Sequence, residues 1–169
     1  GILALQGGFA EHEIMLRDLG ADVREIRKST HLEGIDGLII PGGESTTLSR
    51  LVTDYSLYDP LKHIAQSVPI WGTCAGMIML SAKVPGLDYP TIGSLDITIH
   101  RNGYGSQKHS FEAKIKVPVL GEDLFPAVFI RAPIVEEVGP DIDVLSEFSD
   151  IKNDSSSIVA IRRDNIMAT

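Results

Sequence analysis

The chain has 169 residues, 43% apolar and 22% charged, a size and balance that suit one soluble globular domain with a sizeable core. A formal net charge of −8 argues against nucleic acid or an anionic membrane surface as a partner, and a single cysteine excludes an internal disulfide framework and points to a reducing compartment. No apolar run reaches the length of a membrane span and no basic start leads into a signal-type apolar region, so the cytoplasm is the expected location.

Residues 1–6 read as an apolar strand and Gln6-Gly7-Gly8 as a turn. A helix is expected from about Phe9 to Leu19, with Phe9, Ile14, Met15 and Leu19 as its apolar stripe and Gly20 as its cap. Val23 to Ile26 reads as a short second strand and Ser29 to Gly34 as a loop or short helical turn. Gly37 to Ile40 is a third strand, apolar on both faces as in a parallel sheet. It runs into Pro41-Gly42-Gly43-Glu44-Ser45-Thr46-Thr47, with a helix from Ser45 or Thr46 to about Val52 and another from Tyr58 to Gln66. Val68 to Trp71 is a fourth strand, followed by Gly72-Thr73-Cys74-Ala75-Gly76 and the helix-type run Met77 to Leu80. This alternation predicts an α/β fold: an open, mostly parallel central sheet with helices on both faces. Ligands of such a sheet bind beyond the C-terminal ends of its strands, where the Pro-Gly-Gly-Glu loop and the cysteine both lie.

Beyond Ala82 helix signals fade. Lys83 to Pro90 reads as a loop, and strands are expected over Ile92–His100, Phe111–Val117, Ala127–Ile130, Val144–Phe148, Ser157–Ile161 and Ile166–Ala168. They are expected to supply added β-hairpins and the last strands of the central sheet, with Asp150 to Ser156 as a polar hairpin tip. No repeat or linker divides residues 1–169, which are taken as one domain. Gly1 to Leu5 and Ile166 to Thr169 both read as core strands, so the native chain is expected to extend at both ends, chiefly the C-terminal one.

Gly-x-Cys-x-Gly between a strand and a helix is the cysteine form of the nucleophile elbow. Its glycines relieve the steric cost of the turn and leave room for a substrate, and the helix N-terminus favours a thiolate at Cys74. The simpler reading of a lone cysteine in an apolar region is a small core residue. A cysteine nucleophile also needs oxyanion donors, which the N–H of Ala75 and the Gly42-Gly43 backbone could supply, and a base with its orienting group. Of the histidines, His12 and His63 read as solvated, His31 lies away from the expected crevice, and His100 and His109 could approach a pocket but read more simply as surface residues, with no His-x-Glu or His-x-Asp pair where a triad would place one. Arg101 and Arg131 emerge at strand ends, where a guanidinium can clamp a small carboxylate or simply form a surface ion pair. Metal-ligand spacing, a dinucleotide fingerprint and a Walker motif are all lacking, so no metal is assigned.

Five stretches carry a resemblance that spans the whole chain: Leu5-Gln6-Gly7 with Glu11-His12; Pro41 to Thr47; Gly72 to Gly76; Arg101-Asn102-Gly103-Tyr104-Gly105 with Ser110-Phe111-Glu112; and Phe129-Ile130-Arg131-Ala132-Pro133. In these the sequence resembles the class I (triad) glutamine amidotransferases, and within them the glutaminase subunits of pyridoxal 5′-phosphate synthase. The resemblance implies a flavodoxin-like fold and hydrolysis of L-glutamine to glutamate and ammonia through a thioester on Cys74. It implies Gly43 and Ala75 as oxyanion donors, and Gly43, Glu44, Ser45, Arg101, Ile130 and Arg131 as glutamine-binding positions. It also implies no metal or organic cofactor, and a partner synthase, a (β/α)8 barrel that receives the ammonia for vitamin B6 synthesis, with twelve copies of each subunit. The family places its catalytic His and Glu in a Phe-His-Pro-Glu-Leu segment just past the strand matching Ile166 to Thr169, and this sequence stops short of it. Ser106 stands where the family usually has Arg. A non-catalytic, scaffolding subunit of the same fold and a peptidase-like cysteine hydrolase are the competing readings.

Overall fold

The structure is a computed structural model and describes residues 1–101, 110–150 and 155–169. Its first half alternates strand and helix: β1 (Ile2–Leu3), α1 (Phe9–Asp18), β2 (Glu25–Ile26), a 3-10 turn (Ser29–Leu32), β3 (Leu38–Ile40), α2 (Ser45–Asp54), α3 (Tyr58–Ile64), β4 (Ile70–Gly72) and α4 (Ala75–Leu80). Then come β5 (Ser81–Lys83), β6 (Leu95–His100), β7 (Phe111–Lys116), β8 (Leu124–Phe129), β9 (Ile134–Val138), β10 (Asp143–Asp150), β11 (Ser155–Arg163) and β12 (Ile166–Ala168).

Among the described residues the central sheet has seven strands in the order β10-β11-β12-β4-β3-β1-β2. From β12 to β2 all neighbours are parallel, whereas β10-β11 and β11-β12 pair antiparallel. The mostly parallel α/β sheet expected from the sequence is therefore present. The expected hairpins are present too: β10 with β11, and β7 with β8 as a separate two-stranded sheet. The polar tip expected over Asp150 to Ser156 includes residues 151–154, which lie outside the described residues.

Strand alternation divides the sheet into two faces. Leu38, Ile40, Ile70, Gly72, Ile166 and Ala168 are buried on the face that also receives α4, and α2 packs on α4. Ile39, Trp71 and Met167, in register across β3, β4 and β12, line the other face with Leu16 of α1, so helices lie on both faces. Leu48, Val52, Leu57, Leu61, Met77, Met79 and Leu80 fill the core between α2, α3 and α4. At about 25 cal/mol per Å² of apolar area removed from water, such fully buried side chains each contribute about 1.5–3 kcal/mol. A second cluster, Ile115, Val117 and Phe129 with Phe111 and Phe148 packed on it, fixes the β7-β8 hairpin beside β10.

Helix α1 is present as expected, with its apolar stripe exposed. Ile14, Met15 and Leu19 are 62%, 65% and 80% exposed, and no residue of α1 is buried. Phe9 is half-buried, with the Arg27 guanidinium 5.2 Å from its ring centre. The charged residues of α1 form the intrahelical pair Glu13–Arg17 at 2.8 Å. Two strands had no counterpart in the sequence reading. β5 begins directly after α4 and pairs parallel with β6, and β9 pairs antiparallel with β6.

Candidate active site

Three strand ends converge at Cys74. β4 delivers the elbow itself, β3 delivers the Gly42-Gly43-Glu44 loop, and Thr169 follows β12. The elbow is held by backbone bonds to both neighbours: Thr73 N–H donates to the Ile40 carbonyl at 3.0 Å, and Cys74 N–H to the Thr169 carbonyl at 2.7 Å. Cys74 has φ 50 and ψ −103, a conformation that side-chain-bearing residues rarely adopt. A residue held there at a strand-to-helix turn is the strained geometry expected of a nucleophile elbow.

The two elbow glycines act differently from the sequence expectation. A Cβ on Gly76 would lie 2.0 Å from the Ile40 carbonyl oxygen, and one on Gly72 would lie 2.6 Å from the Gly76 carbonyl carbon. They allow α4 to sit directly on β3 and β4. The space they leave is taken by backbone, not by a substrate.

The Cys74 thiol is half-buried. Burial pushes it up from its ordinary value, against hydrogen bonds from the Ala75 and Gly43 N–H groups and the Arg131 charge, which pull it down. The two N–H donors and the Arg131 charge favour the thiolate, as expected at a helix N-terminus, and desolvation opposes them as the larger influence. The same two N–H groups that favour a sulfur anion are the ones assigned to an oxyanion. They come from two separate strand ends and meet at one sulfur.

Gln6 sets the Gly43 side of this arrangement. Its Oε1 accepts the Glu44 N–H at 2.9 Å, and its amide lies against Gly43, whose φ is 155. Its Nε2 is buried without a hydrogen-bond partner among the described residues. Sequence reasoning gave Gln6 no role. The available signal was a polar side chain at the C-terminal end of an otherwise apolar strand, the edge where the crevice opens.

The remaining candidate residues divide into those the fold brings together and those it turns aside. Glu44 is the N-cap of α2: its carboxylate accepts from Thr46 N–H at 3.0 Å and Thr47 N–H at 2.6 Å. Desolvation would raise that carboxyl, but the bonds from Thr47 and Thr46 outweigh it and hold it below the usual carboxylate range. The Glu44 side chain is therefore occupied by the helix, leaving its backbone for a ligand. Ser45 is buried as the first residue of α2. Arg101 donates from Nη1 to Thr46 Oγ1 at 2.9 Å and from Nη2 to the Gly86 carbonyl, which places its guanidinium over the start of α2. Ile130 and Arg131 link β8 to β9; Ile130 is 58% exposed, and Arg131 has φ 48. Asn102 to His109, including Ser106, lie outside the described residues.

His12 differs from its solvated expectation. It is half-buried with its ring edge-on to Trp71 at 5.8 Å and 81°, and burial pushes its pKa down against an opposing influence from Glu11. Among the described residues no group of three or more His, Cys, Asp or Glu side chains is placed to hold a metal ion. No helix of the described residues is long and apolar enough to cross a membrane.

The model of the SNO glutamine amidotransferase family matches residues 2–169. A protein of Moorella thermoacetica named pyridoxal 5′-phosphate synthase subunit PdxT is 46% identical over 170 residues, covering 100% of this chain and 87% of the relative. A protein of the same name from Dehalococcoides mccartyi is 48% identical over 171 residues, covering 99% of this chain and 85% of the relative. A solved structure of a glutamine amidotransferase superposes with a TM-score of 0.89 at 38% identity, covering 100% of this chain and 87% of that one.

Proposed function

This chain belongs to the SNO glutamine amidotransferase family, and we propose that it hydrolyses L-glutamine to glutamate and ammonia and hands the ammonia to a pyridoxal 5′-phosphate synthase. The Cys74 sulfur, once deprotonated, adds to the side-chain carbonyl carbon of glutamine. The developing oxyanion takes the hydrogen bonds of Gly43 and Ala75 N–H, donors that stabilise charge where it forms. A proton is delivered to the amide nitrogen, ammonia leaves, and a γ-glutamyl thioester remains on the sulfur. Water then cleaves the thioester, giving glutamate and restoring the thiol.

One observation carries this reading: the convergence of two backbone N–H groups from different strand ends on the thiol of a strained elbow. The burial that pushes the thiol up fits it as well, because a desolvated thiol needs a base to become a nucleophile. The family resemblance makes that base a histidine oriented by a glutamate, a part assigned to none of the histidines in residues 1–169. The Thr169 carbonyl bonds the Cys74 N–H, so the end of β12 stands beside the nucleophile. Arg101, Arg131, Ile130, Ser45 and the backbone of Gly43 and Glu44 form the glutamine-binding rim. The partner is a (β/α)8-barrel synthase in an assembly of twelve and twelve, and the compartment is the cytoplasm.

The test is a glutaminase assay of the native-length protein with its synthase present. Release of ammonia from glutamine, abolished by Cys74→Ala, is the expected result. Activity that survives Cys74→Ala would overturn the assignment of the nucleophile.

A further inference from the structure

Thr169 is bonded to the elbow three times. Its N–H donates to the Gly72 carbonyl at 2.9 Å, its carbonyl accepts the Cys74 N–H at 2.7 Å, and its hydroxyl accepts from Trp71 Nε1 at 3.1 Å. The first two bonds extend the parallel β12-β4 ladder, in which Met167 pairs with Trp71 and Ala168 with Gly72, into the elbow. The third follows from the pleat. Side chains two apart share a face, so Thr169 stands on the face of Met167 and Trp71, diagonal to the indole. The indole is itself braced by the His12 ring on its edge.

We propose that the Trp71–Thr169 hydrogen bond is a positioning device for the nucleophile: it fixes the Thr169 peptide that holds the Cys74 N–H, and so keeps the elbow in its left-handed conformation. This rests on reading Cys74 as the nucleophile. A non-glycine residue at φ 50 persists only where its surroundings over-determine it. On the helix side Cys74 is held by its carbonyl, which accepts from Ile78 N–H at 3.2 Å. On the strand side its N–H bond to Thr169 lies beyond the last paired residues of β12 and β4, and bonds at the ends of elements open most easily. A side-chain bond to a braced, half-buried indole removes that freedom. Rotation of the Cys74 peptide would carry the sulfur away from the Gly43 donor, which belongs to a separate loop, so the lock acts on the geometry of the reacting atoms. Thr169 and Trp71 touch no reacting group; they act through the backbone.

The experiment uses the native-length chain with its synthase and compares Thr169→Val, Thr169→Ser, Trp71→Phe and the Val/Phe double variant. Thr169→Val and Trp71→Phe should each lower kcat by roughly tenfold to a hundredfold, the cost of slight misplacement of a reacting group. KM should change by less than about threefold, because the binding rim is untouched. The double variant should be no worse than the poorer single one, since both remove the same bond. Thr169→Ser keeps the hydroxyl and should restore most of the rate. In parallel, the pH midpoint for alkylation of Cys74 by iodoacetamide is measured on the same variants. It should shift in Thr169→Val and Trp71→Phe and return in Thr169→Ser. Should Thr169→Val fail to fold, Trp71→Phe against wild type decides alone. Wild-type kcat with an unmoved alkylation midpoint, or multiplicative losses in the double variant, overturns the proposal. If the wild-type complex releases no ammonia, the glutaminase reading fails instead, and the alkylation midpoints still decide the lock.

Discussion

The amide of Gln6 occupies the space that a side chain on residue 43 would need: a Cβ on Gly43 would lie 2.2 Å from Gln6 Oε1 and 2.7 Å from Nε2. That contact and the Glu44 N–H bond to the same oxygen fix the peptide that follows Gly43, and so restrain the residue whose N–H meets the Cys74 sulfur. Gly43→Ala must either displace Gln6 or turn its own N–H away from the sulfur. The expected loss in kcat is about 10²–10³-fold, the usual consequence of removing one oxyanion donor. Gln6→Ala leaves the Glu44 N–H without its acceptor, for a stability loss of about 1 kcal/mol, and loosens the loop. Steady-state kinetics and urea unfolding read the two effects separately. Full turnover by Gly43→Ala would remove Gly43 from the oxyanion site.

The strain at Cys74 has a measurable thermodynamic consequence. A left-handed conformation costs a residue with a Cβ about 1–2 kcal/mol, a cost that glycine escapes. Cys74→Ala keeps the strain and loses the sulfur, whereas Cys74→Gly loses both. Both variants should be inactive, yet Cys74→Gly should be more stable than Cys74→Ala, the reverse of their usual order. Equilibrium unfolding in urea checks this, and an alanine variant as stable as the glycine one would show that the elbow relaxes when the thiol is removed.

These relationships were legible in the sequence only where they are local. The elbow and the Pro-Gly-Gly-Glu loop announce themselves because glycine spacing beside apolar runs reflects steric demands within a few residues. The parallel sheet was legible from the same alternation. Helix α1 was legible as a helix, but periodicity identifies residues sharing a face without showing that anything covers it; Ile14, Met15 and Leu19 face solvent. β5, with the sequence Ser81-Ala82-Lys83, carries no strand signal of its own and exists through pairing with β6. At Cys74 the helix start is a local feature and readable, whereas the burial that opposes it is set by the fold. Gln6, Thr46 and Thr169 act on residues 38, 55 and 95 positions away, respectively Glu44, Arg101 and Cys74, and no local pattern marks those partners.

Arg101 is placed by Thr46 as much as by its own strand. One guanidinium nitrogen is bonded to Thr46 Oγ1 and another to the Gly86 carbonyl, a geometry that uses the fork of Arg and that Lys cannot copy. If this cation receives a carboxylate of glutamine, Arg101→Ala should raise KM by roughly tenfold or more and lower kcat less, the signature of lost binding common to ground and transition states. Thr46→Val removes one of the two anchors and should raise KM in the same direction by a smaller factor. A fall in kcat with unchanged KM for Arg101→Ala would instead place the guanidinium with the reacting atoms.

The resting thiol gives the sharpest test by pH. Burial raises the Cys74 pKa, and the N–H groups of Ala75 and Gly43 and the charge of Arg131 only partly offset it. Less thiolate is therefore present at neutral pH than for a free cysteine, and iodoacetamide should alkylate the 169-residue chain slowly there. The rate should climb through a midpoint above the ordinary thiol range. Arg131→Gln removes a charge that favours the thiolate, so its midpoint should move further up, while Arg131→Lys keeps the charge and should move less. The sign for stability follows from linkage. With the folded pKa above the unfolded one, the contribution of the buried thiol is complete below the unfolded value and is lost as pH rises through the folded one. A rate profile from roughly pH 6 to 10 covers the whole transition for a thiol near its reference value and the rise of a shifted one. A midpoint at or below the free-cysteine value would mean that the elbow activates its sulfur without a base.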